Sequence, residues 1–158
     1  MLISTSRKPS QKTRTFCQTL SRVLDYEYVN RGKMSLRDLF LKSSQLGYDS
    51  TLLVYELKGN PSKMVFFDED GEEILTLLIN TAQPKIKLKT RSYDLSFQCY
   101  YDDLAILGDL FDLEDDDKDE NYFLLEEASG NYVAVMELYD LEDNPTGFKI
   151  FIRRYIFP

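Results

Sequence analysis

Apolar and polar positions change period along the first 60 residues, and each change marks an element. Phe16, Leu20, Val23 and Leu24 recur at helical spacing with Cys17 beside them, and Arg14, Gln18 and Arg22 form the opposite polar stripe. Before this helix, Leu2-Ile3-Ser4-Thr5 reads as a short strand and Ser6-Arg7-Lys8-Pro9-Ser10 as a basic turn. Tyr26 to Asn30 reads as a second strand. Arg31-Gly32-Lys33-Met34 then turns into a second helix, which starts at Ser35 with Asp38 three residues on, a capping-box pattern. Leu36, Leu39, Phe40 and Leu46 make its apolar face and Gly47 its stop. Leu52-Leu53-Val54 is a continuous apolar run, as in a strand buried on both faces. Strand, helix, strand, helix, strand in this order implies a parallel core with right-handed crossovers.

Gly59-Asn60-Pro61 closes that unit. Met64 to Phe67 and Ile74 to Ile79 predict an antiparallel hairpin turning at Asp70-Gly71. Thr81 to Pro84 is a polar, proline-containing joint that divides the chain into 1–80 and 85–158. Beyond it, Ile86–Lys89 and Ser96–Tyr101 are weaker strand candidates, and Leu104, Leu107, Leu110 and Phe111 suggest one helix. Tyr122–Glu126, Tyr132–Tyr139 and Phe148–Phe157 read as a three-stranded meander, turning at Ser129-Gly130 and across Asn144–Gly147. The expected fold class is α/β: two tandem lobes with helices packed on mixed sheets. Both halves mix helix with sheet, which leaves an internal duplication open.

Composition narrows the function. The 158 residues are 43% hydrophobic, enough for a sizeable core without staples. No apolar run approaches the roughly 20 residues of a membrane span, and the two cysteines, Cys17 and Cys99, cannot make a disulfide framework. A soluble protein of the reducing cytoplasm is expected, without a membrane partner. The chain has no histidine, which removes imidazole bases, Ser–His and Cys–His nucleophiles and the commonest zinc sites. No catalytic residue, metal or cofactor is expected.

The net charge of −8 conceals an asymmetry. Residues 1–42 hold nine basic and three acidic side chains, a balance of +6, while the other 116 hold ten basic and 24 acidic ones, a balance of −14. Such a distribution steers an anion to one end. Two basic loops, 6–10 and 30–35, each follow a strand and open a helix. In a parallel unit both lie at the carboxyl edge of the sheet, where ligands of open α/β sheets bind, beside helix N-termini that favour anions. Gly32 can take φ > 0 and let the backbone approach a phosphate. The candidate phosphate-backbone residues are Arg7, Lys8, Ser10, Lys12, Arg14, Arg31, Gly32 and Lys33. The opposing reading is two solvated loops whose charges only maintain solubility.

Other motifs lead nowhere or stay open. Gly32-Lys33 is not a P-loop, since Glu27 stands where its first glycine belongs and Met34 where a Ser or Thr belongs. Lys33-Met34-Ser35 echoes a loop of class I aminoacyl-tRNA synthetases, which pair it with a histidine motif absent here. In the last strand, Phe148, Ile150, Ile152 and Ile156 form a core face interrupted by Arg154; Lys149, Phe151, Arg153 and Tyr155 form the other. That basic, aromatic alternation stacks bases if exposed. If it lies under a helix, its aromatics pack and its cations snorkel outward, which is the preferred reading. Lys149 and Arg153 are kept as secondary RNA-binding candidates. Asp112–Glu120, with seven acidic residues, reads as a mobile loop without an apolar anchor, able to dock a basic protein or to compete with RNA for the basic end.

The stretch from Leu2 through Ser6-Arg7-Lys8-Pro9-Ser10 to Phe16 closely resembles the opening of the Brix-domain family. Asn30-Arg31-Gly32-Lys33-Met34-Ser35-Leu36 and Lys58-Gly59-Asn60-Pro61-Ser62 resemble it as well. Val135-Met136-Glu137-Leu138 and Gly147-Phe148-Lys149-Ile150 look like the closing strands of its small archaeal members. The resemblance runs in order over nearly the whole chain. It implies two α/β lobes, each similar to the anticodon-binding domain of class IIa synthetases, and a non-catalytic role in ribosome biogenesis. The implied partners are pre-rRNA or rRNA and ribosomal or assembly proteins, with no DNA expected. The competing class is a protein–protein adaptor that docks basic ribosomal proteins through the acidic half.

Overall fold

Alternation along the strands decides which side of the sheet is dry. In β3 (Ser50–Leu57), Leu52 and Val54 enter one buried cluster while Leu53 between them enters another on the opposite face, as the unbroken apolar run predicts. The computed structural model describes residues 1–88, 95–114 and 120–158. In chain order the elements are β1 (Leu2–Thr5), α1 (Gln11–Leu24), β2 (Glu27–Tyr28), α2 (Leu36–Gln45), β3, β4 (Asn60–Asp68), β5 (Glu73–Ala82), β6 (Leu95–Cys99), α3 (Ile106–Leu110), β7 (Asn121–Glu127), β8 (Ala134–Tyr139) and β9 (Pro145–Ile156). A 3-10 turn at Asp102–Leu104 precedes α3.

Nine strands among the described residues form one sheet in the order β2-β1-β3-β4-β5-β9-β8-β7-β6. β2 and β3 both pair parallel with β1, and β6 with β7; the other pairings are antiparallel. Each half thus runs inward from a parallel pair to a meander, and the halves meet where β5 pairs with β9. Strands β1-β3-β4-β5 and β6-β7-β8-β9 follow the same order and directions on either side of that seam, while β2 and α2 have no counterpart among the described residues of the second half. The sheet is continuous where two separate sheets were expected, and the supposed joint is partly strand: Thr81 and Ala82 pair with Ile150 and Lys149. Gly147 is required at the seam. Its φ is +85°, and a Cβ there would come within 2.9 Å of the Lys85 side chain and 3.1 Å of its backbone N.

The main core lies on one face. Phe16, Cys17 and Leu20 of α1 and Leu107 of α3 pack onto Ile3, Leu52, Phe66, Leu77, Phe123, Met136 and Ile150, joining both halves in one cluster. Phe148 touches rings from each half, Phe16 at 5.9 Å and Phe123 at 6.3 Å between centroids. Burial pushes the Cys17 thiol well above its ordinary range. α2 packs on the opposite face over β3 and β4, through Leu39 against Leu53, Val65 and Phe67. Its remaining leucines are exposed: Leu36, Leu41 and Leu46 face solvent, so only part of the expected apolar face is core.

Three smaller expectations need correction. Ile86 to Leu88 is not strand, and Ile86 is exposed; Lys89 lies outside the described residues. The Asn144–Gly147 turn falls earlier, because Asp140 accepts the amides of Glu142 and Asn144 and β9 already begins at Pro145. The acidic tract does have an apolar anchor. Leu113 is buried beside α3, and the Phe97 amide donates to the Glu114 carbonyl. Residues 115–119 lie outside the described residues.

Since one cluster spans both halves, equilibrium urea unfolding followed by far-UV dichroism and by tyrosine fluorescence should give one coincident transition. Phe148→Ala should shift both probes together by about 3–5 kcal/mol. Two separated transitions would show that the halves are energetically independent.

Candidate nucleic-acid interface

Parallel pairing brings three chain segments to one edge of the sheet. β1, β2 and β3 end at the same side, so the turn Ser6–Ser10, the turn Val29–Ser35 and the β3–β4 hairpin at Lys58-Gly59 are neighbours. Short bonds fix the first two together. Val29 donates its amide to the Ile3 carbonyl at 3.0 Å, and Ser4 Oγ donates to the Val29 carbonyl at 2.8 Å.

Arg31 completes the join. The residue is only 7% exposed; Nε donates to the Met34 carbonyl at 2.7 Å and Nη1 to the Thr5 carbonyl at 3.1 Å. One cation therefore ties its own loop to the end of β1. Gly32 beside it has φ +53° with open space where a Cβ would stand, so the turn exposes its backbone. An open cleft of about 650 Å³ lies between the loops, lined by Lys8, Pro9, Gln11, Arg14, Gln18 and the run Asn30–Lys33.

The helix N-termini are less free than the sequence suggested. Ser10 caps α1 by accepting the Thr13 amide, and its hydroxyl also donates to the Gly59 carbonyl at 2.7 Å. Glu56 sits at the same helix end: its Oε2 accepts Thr13 Oγ1 at 2.6 Å and the Ser10 amide at 2.9 Å. The Thr13 hydroxyl foremost, with the Ser10 amide, holds the Glu56 carboxyl below its ordinary range. A carboxylate of the protein thus occupies the place where α1 was expected to receive a phosphate. At α2, Ser35 and Asp38 complete a reciprocal capping box, and the Ser35 amide likewise holds the Asp38 carboxyl low. What remains for an anion is the ring of cations. Arg7, Lys8, Lys12 and Lys33 are exposed, Arg14 is half-buried with Nη2 donating to the Pro9 carbonyl at 3.1 Å, and Ser10 is a cap rather than a free donor.

A further cation was missed. Lys58 stands at the hairpin tip, exposed and with φ +52°. Ser10–Gly59 and Lys12–Asn60 bonds, the latter 3.4 Å, hold that tip against the α1 end. The sequence signal was Gly59-Asn60-Pro61 directly after Lys58, which reads as the close of a unit and not as a hairpin at the same edge.

A comparison with protein-family models returns no match. A probable Brix domain-containing ribosomal biogenesis protein of Methanothermobacter thermautotrophicus is 36% identical over 155 residues, spanning 98% of this chain and 97% of its own. The chain belongs to the Brix-domain, Imp4-like family of archaeal ribosomal biogenesis proteins. The crystal structure of Mil, an archaeal Imp4-like protein, superposes with a TM-score of 0.83 at 35% identity, covering 100% of both chains. A probable ribosomal biogenesis protein from Aeropyrum pernix shares the fold, with a TM-score of 0.75 at 17% identity over 99% of this chain and 95% of that one.

In this Brix-domain chain the last strand departs from its simple alternation. The β5–β9 register shifts between Leu78 and Ile79, which pair with Arg154 and Ile152 and leave Arg153 as a bulge. Past the bulge the faces exchange. Tyr155 joins the core side, where its hydroxyl donates to Asp103 at 2.6 Å, and Arg154 takes the face of Lys149 and Phe151. Hence Arg154 does not interrupt the core. Among the described residues no helix covers that other face of β5, β9 and β8, so the expected burial of Phe151 under a helix is wrong.

The acidic tract begins far from the basic edge. The Tyr26 hydroxyl donates to Asp112 at 2.8 Å, just beyond the C-terminal end of α1. That helix has 14 residues, which places the anchor roughly 20 Å from the loops, more than twice a Debye length of about 8 Å.

Arg31→Ala should lower stability by about 1.5–3 kcal/mol, since two carbonyls lose a charged donor. Arg7→Ala should stay within about 0.5 kcal/mol. Thermal unfolding of the two variants checks this, and equal effects would contradict the buried-tie reading. Glu56 carries the pH test. With its folded value held low, its contribution is complete above the ordinary 4.5 and is lost as pH falls through the folded value. The stability gap between wild type and Glu56→Gln, measured by urea titration, should therefore narrow on acidification below pH 4.5.

Proposed function

We propose that this chain is a cytoplasmic, non-catalytic ribosome-biogenesis factor that binds pre-rRNA by its phosphate backbone at the edge formed by the three turns. One observation carries the reading: Arg7, Lys8, Lys12, Arg14, Lys33 and Lys58 converge there in a chain of net charge −8. The carboxylate among them, Glu56, is already bonded to the protein. Arg31 and Gly32 shape the site, the first as a tie and the second as exposed backbone. Its relatives are described as ribosomal biogenesis proteins, and ribosomal or assembly proteins are the further partners proposed. We take each half as a version of the class IIa anticodon-binding unit, a reading supported by the strand order that β1-β3-β4-β5 and β6-β7-β8-β9 share.

The adaptor alternative rests on the acidic side chains of the second half, such as Asp140, Glu142 and Asp143 at the β8–β9 turn. A salt titration of binding to a pre-rRNA fragment separates the two. Phosphate contacts make affinity fall steeply with salt, and replacing Arg7, Lys8 or Lys33 by Ala should each reduce the slope by roughly 0.7–1. The loss should be similar across RNA sequences, because phosphates do not report base identity. Arg22 and Lys42, exposed or half-exposed on α1 and α2 away from the turns, make the matched control. If Arg22→Ala with Lys42→Ala weakens binding as much as Arg7→Ala with Lys33→Ala, net charge and not a site explains the affinity.

A further inference from the structure

Two exposed apolar points on this chain are surrounded by opposite charge. The first lies on α2, where Met34, Leu41 and Leu46, with Asp38, Lys42 and Gln45 between them, line an open groove of about 410 Å³. Helical spacing puts Asp38, Leu41 and Gln45 on one face, away from the buried Leu39 and Ser43, and Leu41 is 52% exposed. Residues 33–46 hold Lys33, Arg37 and Lys42 against Asp38 alone, a balance of +2, and Asp38 already accepts the Ser35 amide. The second point is the turn between β8 and β9. Asp140 accepts the amides of Glu142 and Asn144, each at 2.9 Å, and Asp143 accepts the Tyr122 hydroxyl at 2.7 Å. The Asp140 amide closes the turn on the Asn144 carbonyl at 3.0 Å. So fixed, the turn holds Leu141 outward, 58% exposed. Residues 140–144 carry three carboxylates and no cation, a balance of −3.

We propose that these two points are the two sides of one contact between copies of the chain: Leu141 of one molecule enters the α2 groove of the next, with its flanking carboxylates beside Lys33, Arg37 and Lys42. Charge and rigidity choose the occupant. A lone exposed leucine is ordinary, but this one stands on a turn whose shape is set by its own hydrogen bonds, so docking it costs little ordering. Its acidic collar matches the basic rim of the groove, which favours this pairing and disfavours the others. Two α2 faces meeting symmetrically would set +2 against +2, and two turns −3 against −3. The contact is therefore heterologous. α2 lies over β3 and β4, while the turn joins β8 to β9 across the seam, so each molecule offers both sides at once and copies add head to tail. One turn on one helix buries well under the roughly 1,200 Å² of a stable interface, which makes the association weak and concentration-dependent.

Sedimentation velocity of the intact chain over a wide concentration range tests this, with dichroism as the check on folding. The weight-average sedimentation coefficient of wild type should rise with concentration, and rise less as salt is added. Leu41→Ser and Leu141→Ser replace exposed side chains, and each alone should weaken self-association about ten-fold or more. The decisive sample is their mixture. Leu41→Ser keeps the turn and Leu141→Ser keeps the groove, so together they should form a one-to-one dimer and nothing larger, since only the two defective sides are left open. Lys33 also lines the RNA cleft, so the charge test uses Lys42. Glu142→Lys and Lys42→Glu should each weaken association, and both swaps in one chain should recover it. The proposal is overturned by a wild type that stays monomeric throughout, by self-association that Leu141→Ser leaves unchanged, by a mixture that forms no dimer, or by a double swap no tighter than either single one.

Discussion

Seven residue pairings between β5 and β9, from Thr76–Ile156 to Ala82–Lys149, hold the two halves of the molecule in one sheet. Everything else follows from that seam. It lets one apolar cluster run under both halves, so that Phe148 of the last strand can pack against Phe16 of the first helix. Among the described residues it also leaves the opposite face without a helix beyond β4. And it contains the bulge at Arg153, which sorts the C-terminal cations and rings to their two sides. Hydrogen bonds make the seam, but burial of the cluster beneath it supplies the driving force, at about 25 cal/mol per Å² of apolar surface removed from water.

Charge is partitioned by the same geometry. The basic turns lie at the carboxyl ends of β1, β2 and β3, while the start of the acidic tract is tethered to Tyr26 at the other end of α1. Screening between them makes the two ends electrostatically independent at physiological salt. At the basic edge, the buried Arg31 and the bonded Glu56 both serve the scaffold. One joins the loops and the other closes the α1 cap, so that the exposed lysines and arginines are left as the groups able to meet a phosphate.

Much of this was legible in the sequence. The helical period through Phe16 to Leu24, the Ser35–Asp38 box and the unbroken Leu52–Val54 run all reported local physics, and those elements formed where the pattern placed them. The proximity of the two basic turns followed from parallel topology alone. The failures were non-local. Nothing in Arg31 marks it as buried, because its partners are carbonyls of Thr5 and Met34 that only the fold brings near. Glu56 sits 43 residues from Thr13, and no short motif links them. The seam was misread because Thr81–Pro84 is polar and contains proline, although Thr81 and Ala82 pair across it. A one-residue bulge is equally invisible to a period-two pattern, which is why Arg154 looked like a defect in the core face and Tyr155 like a residue of the opposite face.

The most direct test of the phosphate-binding edge is amide chemical-shift mapping of the isotope-labelled 158-residue protein titrated with a pre-rRNA fragment. The account predicts that the amides of 6–8, 10–14, 30–34 and 58–60 shift together and saturably, while those around Tyr26 and Asp112 stay put. Shifts concentrated at Asp102–Asp109 or Asp140–Asn144, with the three turns unperturbed, would contradict it.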